Sequence, residues 1–440
     1  MNIRGLALDL LCEYEAGGKY VNLSLSSHRA DGLTREERAA LTALLYTTVE
    51  RKLTYDYYIS ALSGRSTAEI NPRTLMILRL GLCQLCHMRS VPAFAAVNET
   101  VSLARNKGER AFVNGVLRAA ARAGEALPLP DPKKNYRRYL SVKHSFPTET
   151  VRLFISLYGQ ENTERLLECF NGEGYTDLTV NTRKIAVEDY LSTLKAAGIA
   201  AVRSEDAPLS LRIEGSVNPE RLPGFAEGYF LVQDRASLIS AYALGASRGE
   251  RIIDVCACPG GKSLATAILT DDNAEITSLD IHESKLSLIE GSIERLGLKS
   301  VSVAACDATE GKCELFGSFD KVICDVPCSG LGVLGKKPDL RYKSEEAREE
   351  LPALQYAILS RSAEYLKVGG ELVYSTCTLD PRENREVLSR FLEENRGFVR
   401  TPFAVGKYNA SEGELTLTPH EDGTDGFFMA KIRKIAENDN

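Results

Sequence analysis

The chain has no apolar run approaching the roughly 20 residues that cross a bilayer, so no membrane partner is expected. Residues 1–20 read as an amphipathic helix, with Ile3, Leu6, Ala7, Leu10 and Leu11 beside Asp9, Glu13 and Glu15. They lack the basic start and unbroken apolar stretch of a signal peptide, which predicts a cytoplasmic protein with its 11 cysteines reduced. Metal ligands are sparse. Cys83-x-x-Cys86 has no second pair to complete a four-ligand zinc site, and the five histidines are scattered. Leu75, Leu78, Leu82, Leu85 and Cys86 recur at helical spacing, so the pair reads as core and no metal is expected. Internal repeats and low-complexity tracts are also absent.

Nor is there an overall basic excess: 54 Lys+Arg against 60 Asp+Glu leaves a net charge of −6. The balance is uneven, however. Residues 1–150 hold 21 Lys+Arg against 14 Asp+Glu, net +7, and the remainder holds 33 against 46, net −13. A basic part joined to an acidic, enzyme-like part fits an electrostatic RNA footprint, although a solvated surface gives the same count. At 440 residues, 44% hydrophobic and 26% charged, the chain has the make-up of a soluble protein of two or three domains.

Residues 1–126 carry apolar positions every three or four residues and no alternating segment, which predicts an all-helical domain broken at Gly17-Gly18, Gly32, Gly64 and Val91-Pro92. Leu127-Pro128-Leu129-Pro130-Asp131-Pro132 begins a linker, 127–144. In it, Lys133-Lys134-Asn135-Tyr136-Arg137-Arg138-Tyr139 suits either phosphate contacts with base stacking or a solvated face. Residues 145–227 read as a small α/β connector, with a helix near 149–170 and strands at 177–181 and 209–213. From 228 to 440 strands (251–256, 275–281, 301–307, 321–325, 371–375) alternate with helices (262–270, 283–296, 344–366, 383–395). A hairpin of 414–417 with 426–432 closes the set. This alternation predicts a doubly wound, mainly parallel sheet.

After the first of these strands comes Asp254-Val255-Cys256-Ala257-Cys258-Pro259-Gly260-Gly261-Lys262-Ser263, whose glycines let backbone amides approach a ligand at a helix start. A phosphate-binding P-loop requires glycine where Cys256 stands, and the dinucleotide pattern G-x-G-x-x-G is missing. S-adenosylmethionine (SAM) remains, a cation without phosphates. Three acids suit it: Asp280 for the ribose hydroxyls, Asp307 with Ala308 for the adenine amino group, and Asp325 beside the reacting centre. Helix caps following strands are the alternative for these acids.

Two cysteines follow strands, Cys328 in Asp325-Val326-Pro327-Cys328 and Cys377 in Ser375-Thr376-Cys377-Thr378. A thiolate added to carbon 6 of a pyrimidine makes carbon 5 nucleophilic enough to take a methyl group. Small buried hydrophobes at strand ends are the other reading.

The segments 254–263, 325–330 and Thr376-Cys377-Thr378-Leu379-Asp380-Pro381-Arg382-Glu383-Asn384 resemble the motifs of the Sun/NSUN family of RNA cytosine-C5 methyltransferases. Val232-Gln233-Asp234-Arg235-Ala236-Ser237 is similar to the entry of that catalytic domain, and only Cys258 departs, where the family more often has alanine. The N-terminal part resembles the antitermination factor NusB through Leu78-Arg79-Leu80-Gly81, Val91-Pro92, Val97-Asn98-Glu99 and Phe112-Val113-Asn114-Gly115-Val116-Leu117. The resemblance covers nearly the whole chain. It implies a NusB-like RNA-binding domain and a class I SAM-dependent methyltransferase acting as a monomer on 16S rRNA and not on DNA. It also implies that Cys377 attacks carbon 6, Cys328 assists release, and Asp325 binds the base with Lys262 nearby. DNA enzymes use the Pro-Cys cysteine as nucleophile, which leaves a swapped pair as an alternative. Other functional readings are another RNA substrate such as tRNA, or a non-catalytic RNA-binding scaffold. A target carbon 6 inside a duplex must be extruded from its stack.

Overall fold

The computed structural model describes residues 2–17, 32–88, 90–215 and 217–437. It divides into two compact units, one of residues 1–171 with 337–342, the other of residues 172–336 with 343–440.

In the first unit every regular element among the described residues is helical: Ile3–Glu15, Arg35–Glu50, Lys52–Ser63, Pro72–His87, Ala93–Ser102, Lys107–Ala123, Tyr136–His144 and Thr148–Phe170, with short 3₁₀ turns. The expected helix over 1–20 is thus Ile3–Glu15; Met1 and residues 18–20, including the expected break at Gly18, lie outside the described residues. Polar side chains cap several of the helix starts. Thr34 and Glu37 exchange hydrogen bonds as a capping box, and Asn106 accepts from the Glu109 amide. The core gathers Leu8, Leu11, Leu45, Ile77, Leu78, Cys83 and Leu117. Gly81 is required by a close helix crossing, because a Cβ there would lie 2.6 Å from Leu117 Cδ1. Cys83 is a fully buried core residue whose thiol burial pushes up to about 12.

Within the 127–144 stretch, residues 136–144 are helical rather than extended. Lys133, Lys134, Arg137 and Arg138 are exposed. The Tyr136 and Tyr139 rings stack on each other at 6.0 Å, and Tyr136 donates its hydroxyl to Glu164 at 2.6 Å. Compactness groups the helix Thr148–Phe170 with this unit rather than with the strands that follow it. Lys337–Tyr342 belong here as well, although they come far later in the chain. Arg341 is completely buried, lies 3.9 Å over the Phe146 ring and donates to the carbonyls of Glu50, His144 and Ser145.

The second unit holds two main sheets. The smaller, order β2-β3-β1-β4, is antiparallel and comprises β1 (Tyr175–Val180), β2 (Ala201–Arg203), β3 (Ser210–Glu214) and β4 (Phe230–Val232). The larger has the order β10-β14-β9-β8-β5-β6-β7, with a further strand, β13, on β14. Its parallel part is β5 (Arg251–Asp254), β6 (Glu275–Asp280), β7 (Val301–Ala305), β8 (Phe319–Asp325) and β9 (Leu366–Thr376). The antiparallel strands β10 (Phe398–Arg400), β13 (Glu414–Leu417) and β14 (Phe427–Lys434) complete it, and β11 (Phe403–Val405) pairs β12 (Tyr408–Ala410) separately.

Successive residues feed opposite faces of the sheet. Ile252, Ile323, Val373 and Met429 enter one core, while Ile253, Val322, Leu372 and Phe428 enter the other. Such two-sided burial makes these strands continuously apolar. The helix expected over 344–366 is instead two, Glu346–Glu349 and Leu351–Glu364, because Pro352 starts a new first turn. At the strand-start end of the sheet, Glu371 accepts from Lys321, Lys431 and Arg433. Burial alone raises a carboxyl; here those three cations outweigh it and hold Glu371 at about 2.

Candidate active site

Strand order reverses around β5, which has β6 on one side and β8 on the other. A crevice at such a switch point, outside the carboxyl ends of the strands, is where open α/β sheets bind ligands. The site residues expected from the sequence lie at the ends of these strands: Asp280 on β6, Asp325 on β8, with Asp307 just beyond β7 and Cys377 just beyond β9.

The loop Val255–Gly260 runs from β5 to the helix Gly261–Leu269. Gly260 adopts φ +100°, and a Cβ there would press on Ile289 Cγ2 at 3.1 Å and Leu264 Cδ1 at 3.3 Å. The buried Asp280 steadies the loop: its two oxygens accept from the amides of Cys258 and His282, both at 3.0 Å. Cys258 turns its thiol to the Lys285 carbonyl, and burial with the nearby Asp280 raises it to about 11. Burial likewise raises Cys256 far above the ordinary thiol range. Ala257 is buried and donates its amide to Leu279. Asp307 accepts from the amide and hydroxyl of Thr309, bonds that lower its carboxyl.

Asp254 opens the glycine-containing motif, and its type and position alone give it no role. One of its oxygens accepts from Ser263 Oγ at 2.7 Å; the other is buried without a partner. Burial is the main reason its carboxyl rises to about 7. An orphaned acceptor at a strand end, a glycine-built cradle and Asp280 on the next strand together fit a ligand with a cationic tail and a ribose. The residues present therefore suit SAM.

Across β8 and β9 the sheet register sets Asp325 opposite Ser375. Ser375 Oγ donates to one Asp325 oxygen at 2.7 Å, and the Lys262 ammonium to the other at 2.6 Å. Lys262, itself buried, lies 5.1 Å from the Phe427 ring centre. The two cysteines come together: Cys328 Sγ and Cys377 Sγ are 3.1 Å apart, each partly exposed. The bond to Cys377 and then burial raise the Cys328 thiol far above its usual value. Gly332 pins the second loop by donating its amide to the Cys377 carbonyl at 2.9 Å.

Sequence reasoning assigned nothing to Ser375, Phe427 or Gln355, whose importance depends on neighbours from distant elements. In the other unit, His144, Glu164 and Glu168 form a group able to hold a metal. There, however, Lys143 places its ammonium 2.6 Å from Glu164 and already supplies the positive charge.

A switch-point crevice with a glycine cradle and strand-end acids, in a sheet closed by an antiparallel hairpin, defines a SAM-dependent methyltransferase of class I. Within that class the chain belongs to the 16S rRNA methyltransferase RsmB/F family, whose model matches residues 241–433. The NusB family matches residues 1–122, and the ferredoxin-like domain of RsmF/B-like methyltransferases matches 146–220. A Bacillus subtilis protein named "Probable ribosomal RNA small subunit methyltransferase B" is 34% identical, covering 98% of this chain and 99% of its own. The ribosomal RNA small subunit methyltransferase B of Klebsiella pneumoniae is 32% identical, over 99% of this chain and 98% of its own. The crystal structure of PH0851 is 25% identical, covers 98% of this chain and 99% of that one, and superposes with a TM-score of 0.79.

Proposed function

We propose that this chain methylates carbon 5 of a cytosine in small-subunit (16S) rRNA through a covalent cysteine adduct at carbon 6. The observation that carries the reading is the pair of sulfurs 3.1 Å apart beside Asp325, at the carboxyl ends of β8 and β9. The relatives' names point to rRNA of the small subunit as substrate.

The loop of Cys256, Ala257, Cys258, Pro259, Gly260 and Gly261, with Lys262, Asp280 and Asp307, would hold SAM. When bound, SAM supplies an electrophilic methyl group on a sulfonium. Asp325 accepts from the exocyclic amine of the cytosine and meets the proton gained at N3, so that the ring can take up a thiolate. Its position is set by Ser375 and Lys262, which leave each of its oxygens a second lone pair.

Cys377 attacks carbon 6 as the thiolate, the nucleophilic form. The electron pair moves to carbon 5, which would take the methyl group as its bond to the sulfonium sulfur breaks, leaving a neutral thioether. A base then removes the proton still on carbon 5, and the returning electrons expel Cys377 as thiolate. Cys328 is suited to serve that release. Its sulfur lies 3.1 Å from that of Cys377, so as a thiolate it would be a base adjacent to the adduct, taking up the carbon 5 proton to become a thiol.

The alanine variants test this assignment. Cys377→Ala should abolish methylation and leave no covalent protein–RNA species. Cys328→Ala should permit attack and transfer, then stall with RNA attached, giving a slower band on denaturing electrophoresis that is lost in the double variant. An adduct with Cys377→Ala and none with Cys328→Ala would reverse the roles. Two fully active variants would overturn the thiolate mechanism. Sequencing for 5-methylcytosine in 16S rRNA from cells with and without the gene tests the substrate.

A further inference from the structure

The loops that carry the two cysteines meet at one buried carboxylate. Glu383 is 1% exposed, and one of its oxygens accepts both the Ser329 amide and Gln355 Nε2, each at 2.8 Å. Its other oxygen lies 3.4 Å from Thr378 Oγ1. Ser329 directly follows Cys328 and Thr378 directly follows Cys377, and their hydroxyls are 2.7 Å apart. Gln355, fully buried on the helix Leu351–Glu364, also donates to the carbonyl of Pro327, the residue before Cys328. Burying a carboxylate is unfavourable unless its lone pairs are met by donors. Here the donors come from both sides of the dithiol.

We propose that Glu383, supported by Gln355, is the positioning residue of the Cys328–Cys377 pair, clamping the two loops so that the sulfurs stay in contact. The clamp acts on geometry: neither residue touches the reacting atoms. Its geometric part stands alone, whereas its consequence for rate rests on the thiolate mechanism proposed above.

Phenylarsine oxide reports the spacing, because its arsenic bonds two thiols at once and releases the oxygen as water. The full-length protein should take up one arsenic bridging Cys328 and Cys377, mapped by mass spectrometry and absent in Cys328→Ser. Glu383→Ala should slow that bridging by about tenfold or more, the size of a lost charge-assisted hydrogen bond. Glu383→Gln keeps an amide oxygen for Ser329 and Gln355 and should restore most of it. SAM affinity should stay within about twofold in both, since the cofactor loop is untouched, and kcat should fall while KM for SAM holds. If Glu383→Ala fails to fold, Gln355→Leu provides the same readout.

Glu383→Ala or Gln355→Leu protein that binds SAM and still bridges at the wild-type rate overturns the clamp. So does Glu383→Gln bridging as poorly as Glu383→Ala. Bridging lost with methylation intact would leave the clamp standing and instead refute the role of the two thiols in the reaction.

Discussion

Both oxygens of Asp280 already accept backbone amides, so this side chain shapes the loop proposed to hold SAM. Asp280→Ala should therefore weaken SAM binding about ten- to a hundredfold, the range of one charge-assisted contact. Titration calorimetry measures this, and affinity within about twofold of wild type would refute the placement of the cofactor. Asp254 offers a pH test. Its folded value near 7 lies above the ordinary 3.8, so the folded protein keeps a proton that the unfolded chain releases. Stability from this group is then full below about 4 and declines as pH rises toward 7. Asp254→Asn lacks that slope, so the stability of wild type relative to the variant should fall between pH 5 and pH 8 in urea titrations. A constant difference would mean that Asp254 titrates normally. A reader of the sequence sees these acids at strand ends, but not that one oxygen of Asp254 is stranded without a donor. That fact belongs to the packing around it.

At the scale of elements, backbone contacts add to the side-chain clamp between the loops after β8 and β9. Gly332 donates to the Cys377 carbonyl and accepts from the Gly426 amide at 2.8 Å. A Cβ on Gly332 would sit 1.8 Å from the Gly426 carbonyl oxygen and 2.8 Å from that of Cys377. Gly332→Ala must therefore move the β9 loop, and we expect methylation to fall at least tenfold, since a misplacement of about 1 Å has effects of that order. SAM affinity should remain, and equal activity in the two proteins would show that the loops tolerate the shift. The helices and strands themselves were legible because apolar period and glycine breaks mark them. Their limits were less so: β9 begins at Leu366, five residues before its expected start, and Pro352 divides a helix that reads as continuous. Gln355 looks like any polar residue of a helix, and only the fold turns it inward onto Pro327 and Glu383.

For the whole molecule, the uneven charge predicts where RNA affinity resides. Lys133, Lys134, Arg137 and Arg138 are exposed, while the neighbouring tyrosines are engaged with each other and with Glu164. Phosphate contact rather than base stacking is what this segment can offer. Replacing the four cations by glutamine should lower rRNA affinity and reduce the slope of log affinity against log salt by up to about 3–4, leaving SAM binding unchanged. An unaltered slope in filter binding would make the segment a solvated face. The sequence by itself determined the two fold types, the strand-end acids and both cysteines, because periodicity and short contiguous motifs encode what adjacent residues do together. Tertiary structure alone decided that two thiols 49 residues apart touch, that Glu383 joins their loops, and that Arg341 buries itself among the N-terminal helices. Each of those depends on chain segments meeting in space, and no local pattern records which segments will meet.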